Sequence, residues 1–116
     1  MDHSLDQLLN WLSGATAGRP PGGRTGTVRC DVVMPTGTAT RYVVITEEGC
    51  SVAAAVAHQP NATISVTLQD LTRLALGDLE AAQAFLSGRL GVEEDILFAM
   101  AWVGRWGGRL GHSSHA

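Results

Sequence analysis

The chain has 116 residues, of which 45% are apolar and 16% charged, and its net charge is −3 at pH 7. Such a length fits one domain whose single core buries about two-thirds of the unfolded surface. The apolar share excludes a chain disordered by composition. The charge balance and the lack of any basic block exclude a nucleic-acid binder; all 8 basic residues are Arg, which reads as composition bias.

The opening "MDHSLDQLL" is acidic and periodic, the wrong start for a secretory signal. The longest apolar run, Ile96 to Val103, is 8 residues, against roughly 20 needed to span a bilayer. The expectation is a cytoplasmic chain without stable membrane insertion. Cys30 and Cys50 then read as buried, reduced thiols, and the sequon Asn61-Ala62-Thr63 as chemically idle.

In chain order, the first element is an amphipathic helix. Ser4 and Gln7 fit a capping box, Leu5, Leu8, Leu9 and Leu12 form its apolar stripe, and Gly14 ends it. "GATAGRPPGGRTG" is a Gly/Pro loop, and its glycines match no phosphate-binding fingerprint. Four strand-like runs follow. "TVRCDVVM" alternates, the turn "PTG" joins it to "TATRYVVIT", and "EEG" leads to the alanine-rich "CSVAAAVA". After "HQPN", the run "ATISVTL" alternates again. Short turns between consecutive strands predict an antiparallel meander with one wet face.

The remainder covers the other face. "QDLTRLALG" predicts a short helix ending at Gly77, and "DLEAAQAFLSG" a second, with Asp78 as N-cap and Gly88 past its end. "RLGV" is a fifth, short strand, and Glu93, Glu94 and Asp95 open the last helix, where the macrodipole favours carboxylates. That helix, within "DILFAMAWVGRW", has no polar side. At about 100° per residue, Ile96, Ala99, Met100 and Val103 share one side, assigned to the sheet. Leu97, Phe98, Ala101 and Trp102 share the other, which faces helices or an apolar pocket. The predicted architecture is α+β: an antiparallel sheet of about five strands with helices on one face.

Residues 62 to 100, "ATISVTLQDLTRLALGDLEAAQAFLSGRLGVEEDILFAM", resemble the C-terminal half of the sterol-carrier-protein type-two domain. Gly77 and Leu79 match its Gly-x-Leu step. Ala84, Phe85, Gly88, Arg89 and Leu90 match its Ala-Phe-x-x-Gly-Lys-Leu segment, with Arg for Lys. Asp95 matches the Asp of its Gly-Asp pair, whereas Glu94 stands where the Gly usually sits. The resemblance implies a lipid carrier, or a lipid-binding appendage, with an apolar tunnel between sheet and helices.

On that reading Phe85, Leu86, Leu97, Phe98, Ala101 and Trp102 line the tunnel, though ordinary core packing also accounts for each. Arg105 would meet an anionic head group at the tunnel mouth, or is simply a cation near a helix C-terminus. The run Glu93 to Asp95 does not converge on one point, and helix-start charge explains it. His112 and His115 are too few to close a structural zinc site, and His58 has no evident acidic partner. No cofactor or metal is expected. The domain is expected to span 1–106, with 107–116 as a mobile tail. The reading is sequestration of an acyl chain, sterol or isoprenoid-like molecule. The alternatives are an interaction module docking a partner enzyme or a second copy through the last helix, and a small cyclase- or isomerase-like enzyme.

Overall fold

The computed structural model of the protein describes residues 5–10 and 24–110, with side chains as far as Gly104. Residues 5–10 are helical (α1). The strands are β1 (Gly26–Met34), β2 (Gly37–Thr46), β3 (Gly49–Ala53), β4 (Ala62–Thr67) and β5 (Gly91–Glu94); the later helices are α2 (Leu68–Leu76), α3 (Ala81–Leu86) and α4 (Ile96–Leu110). The class is α+β, as the element pattern predicts. Ser4, Leu12, Gly14 and the Gly/Pro loop up to Gly23 lie outside the described residues.

The sheet has the order β3-β2-β1-β4-β5, and it is mixed rather than wholly antiparallel. β1 and β2 form the expected hairpin, with Val28 opposite Val43 and Val32 opposite Ala39. β3 continues it, with Val52 opposite Val43. β4, however, lies parallel to β1, with Val28 beside Ala62 and Val32 beside Val66. The physical reason is the connection 54–61, which is too long for a tight turn and crosses to the far side of β1. Its end is docked there by paired hydrogen bonds: Asn61 N donates to the Thr27 carbonyl at 2.8 Å, and Thr27 N donates to Asn61 Oδ1 at 2.8 Å. β3 stops at Ala53, the first residue of an alanine run that has little strand propensity. β5 closes the edge antiparallel to β4, with Val92 opposite Ile64.

Strand alternation sorts the two faces. Val28, Cys30 and Val32 of β1, Val43 and Ile45 of β2, and Ala62, Ile64 and Val66 of β4 are buried on the helix side. Leu5 and Leu9 of α1 join them, and Asp6 accepts from Arg41 Nε at 2.8 Å. The opposite face carries Arg29, Asp31, Thr40, Thr63 and Ser65. There Asp31 Oδ1 accepts from Arg29 Nε and from Thr40 Oγ1, each at 2.9 Å.

Capping sets the helix limits. Thr67 Oγ1 accepts from Asp70 N at 3.1 Å, and Gly77, at φ 81°, closes α2 in the left-handed conformation glycine tolerates. Asp78 N donates to the Arg73 carbonyl at 2.8 Å, so Asp78 completes the end of α2 and does not cap α3. α3 starts later, with Glu80 in the N-cap position. Glu93 and Glu94 belong to β5 rather than to the last helix; Asp95 alone caps α4, accepting from Phe98 N at 3.1 Å. α4 continues past Trp106 to Leu110, so helical backbone enters the stretch expected to be a tail. Residues 111–116, with His112 and His115, lie outside the described residues.

Candidate functional site

α4 decides what the helix layer can hold. It packs on α2, α3, β4 and β5, and its buried residues are Phe98, Ala99, Trp102 and Val103. That face is turned by about one residue from the predicted one. The expected sheet side loses Ile96, which is 40% exposed, and Met100, which is half-buried. The reason lies at both ends of the first turn. The Asp95 cap draws Phe98 N inward, and the Arg24 guanidinium sits 5.1 Å from the Phe98 ring centroid. Arg24 also pairs with the Asp95 carboxylate. This partner, and the hydrogen bond from Phe98 N, hold the Asp95 carboxyl below its ordinary range.

The six expected tunnel residues therefore divide. Phe98 and Trp102 are in the core at 2% and 0% exposure, and Phe85 is half-buried. Leu86 and Leu97 are 83% and 81% exposed, and Ala101 lies on the same outer side of α4 as Leu97. The Arg105 side chain lies outside those described. Among the described residues, the layer between sheet and helices is packed by Trp102, Phe98, Leu71, Leu90, Ile64 and their neighbours, and a continuous tunnel is not shown.

A cleft of about 300 Å³ opens where the end of α2, the start of α3 and the middle of α4 meet. Its walls include Leu74 and Val103, both members of the core cluster, together with Leu79, Ala81 and Gly104. A Cβ built on Gly104 would meet nothing within 4 Å. The sequence contained one signal for this place: the Gly77-x-Leu79 step, read there as a family mark and not as a wall. A second, larger groove of about 720 Å³ lies at the far end of α2, against the end of β1.

Among the described residues, those lining these clefts bring together no acid–base pair and no nucleophile. Burial pushes the Cys30 thiol up to about 12, so it stays protonated and unreactive. His58 is exposed, with Nε2 3.1 Å from Thr27 Oγ1. Among the described residues no three His, Cys, Asp or Glu side chains stand together as metal ligands, and no helix is long and apolar enough to cross a membrane.

Known proteins share this fold. The chain is similar in fold to sterol carrier protein 2-like 2 from Aedes aegypti, with a TM-score of 0.68 at 18% identity over 86% of this chain and 94% of that one. The solution structure of the same mosquito protein in palmitated form gives a TM-score of 0.67 at 17% identity, covering 97% and 98%. Sterol carrier protein 2 from Yarrowia lipolytica, in its apo form, gives 0.61 at 17% identity, covering 90% and 78%. No curated protein sequence matches the chain significantly. The model of the SCP-2 sterol transfer family matches residues 24–104. The chain belongs to the SCP-2 sterol transfer family.

Proposed function

We propose that the protein is a carrier that takes one apolar, lipid-like molecule out of water between its helices and its sheet. The observation that carries this reading is the cleft beside Gly104, where the core side chains Leu74 and Val103 come to a wall shared with half-buried Leu79 and Ala81 and with exposed Gly77, Glu80 and Ala82. An acyl chain, sterol or isoprenoid-like molecule pushing in at Leu74 and Val103 would reach Trp102 and Phe98 next, with Phe85 flanking. Leu86, Leu97 and Ala101 would join the wall only as α3 and α4 part. The palmitated relative supports the ligand class. The driving force is transfer of apolar area from water, about 25 cal/mol per Å² buried. No covalent step is needed, and the protonated Cys30 thiol suits a reducing cytosol.

Titration of the purified protein with a fluorescent long-chain probe tests the reading, alongside its mass by size exclusion. We expect saturation near one probe per chain, and at least tenfold weaker binding by Gly104→Phe, which fills the cleft. A linear rise without plateau contradicts the carrier reading. If that is joined by a doubled mass that falls on Leu97→Asp substitution, the exposed side of α4 is a docking face instead.

A further inference from the structure

The groove at the start of α2 is distinct from the interior layer. Val33 and Thr67, neighbours across the parallel β1–β4 pair, bring to it the sheet face that points away from the core. Met34, Pro35, Leu68, Gln69 and Thr72 also line it. At about 720 Å³ it falls within the usual size of small-molecule sites, and its apolar walls include Val33, 47% exposed.

Among the described residues lining this groove, the charged one is Arg73. Arg73 is not neutralised one-to-one. Its Nη1 lies 3.5 Å from Asp70 Oδ1, and Arg89 Nη1 lies 3.4 Å from both oxygens of the same carboxylate. Asp70 is itself largely buried at the first turn of α2. Two guanidiniums share one carboxylate, which leaves one positive charge over at the wall of an apolar groove. Arginine in this setting favours a carboxylate or similar oxyanion.

We propose that this groove is a second binding site, for a monoanionic single-chain amphiphile whose chain lies over Val33 and Leu68 and whose head group meets Arg73. The inference rests on the carrier reading only for the kind of molecule the protein meets; its location and its charge preference come from the groove itself. Arg89 is a positioning residue: by holding Asp70 it frees Arg73 for the ligand.

Decanoate and decyltrimethylammonium, each below its micelle concentration, are the probes, followed through backbone amide shifts of the intact protein. Decanoate should shift Val33, Leu68 and Thr72 saturably, at least tenfold more tightly than the cationic chain. Arg73→Gln should abolish that discrimination, Arg89→Gln should reduce it, and Val33→Asp should block the groove while neutral-probe binding at the Gly104 cleft persists. Equal binding of the two chains, or decanoate shifts confined to Leu74 and Val103, overturns the inference and leaves the carrier reading standing. Saturable groove shifts in a protein that takes no neutral probe would instead overturn the carrier reading and keep the groove. No response to either chain overturns the groove.

Discussion

Arg24 and Asp95, 71 positions apart, form an ion pair that ties the chain just before β1 to the N-cap of α4. The same guanidinium covers the Phe98 ring, and the same carboxylate accepts from Phe98 N. One exposed cation thus braces both the cap at which α4 begins and the ring by which α4 enters the core. A helix with apolar residues on every side carries no stripe to orient it, so an external clamp of this kind supplies the orientation.

The clamp should be sensitive to acid. The Asp95 carboxyl is held low by Arg24 and the Phe98 amide, so its contribution is complete above the ordinary carboxylate value near 3.9 and is lost as pH falls toward the depressed native value. Thermal melts from pH 6 down to pH 2.5 should show the parent losing stability more steeply than Asp95→Asn. Equal slopes would mean that the pair contributes nothing to folding.

Glu94 holds a φ of 70°, in the left-handed region, and is the one non-glycine residue in this region among those described. An L side chain there costs about 1–2 kcal/mol, against about 0.5–1 kcal/mol of unfolded-state entropy for glycine. Glu94→Gly should therefore stabilise the protein by up to about 1 kcal/mol, read as a higher urea midpoint. A lower midpoint would show that the Glu94 side chain makes a stabilising contact.

Gly26 stands under the Asn61–Thr27 link. A Cβ there would lie 2.6 Å from Asn61 Oδ1 and 3.0 Å from Phe98 Cζ. The Asn61 oxygen cannot retreat without giving up its bond from Thr27 N. Gly26→Ala should cost about 1–3 kcal/mol, as overpacking does. A neutral result would show that the crossover from β3 to β4 is loosely held.

The two sides of α4 can be separated with one substitution at two positions. Ala99 is fully buried and Ala101 is exposed. Ala99→Asp places a carboxylate without partner or water in the core and should abolish the cooperative unfolding transition. Ala101→Asp should stay within about 0.5 kcal/mol of the parent. If both unfold alike by circular dichroism, the outer side of α4 is covered in solution.

The sequence carries some of these features openly and others not at all. Alternation in "TVRCDVVM" and "ATISVT", the helix end at Gly77, and the leucines at 5 and 9 act locally, so residue type and spacing reveal them. The parallel β1–β4 pairing is settled by Asn61 reaching Thr27, a contact across 34 positions that no local pattern encodes. Arg24 meeting Asp95 and Phe98 is likewise a distant contact that no local pattern encodes. The cleft beside Gly104 is legible only in part: Gly77 and Leu79 stand out as a pair, but Val103 and Gly104 enter through helix packing. Phe98 and Trp102 are visible in the sequence as bulky and apolar, which does not distinguish a ligand's wall from a core.

The central claim, an apolar ligand held between helices and sheet, is tested most directly by photolabelling. The intact protein is mixed with one equivalent of a diazirine-bearing long-chain probe, irradiated, digested and mapped by mass spectrometry. The account predicts adducts on Leu74, Trp102 and Val103, reduced in Gly104→Phe. Adducts confined to the exposed Leu86 and Leu97, unchanged in that variant, would contradict it.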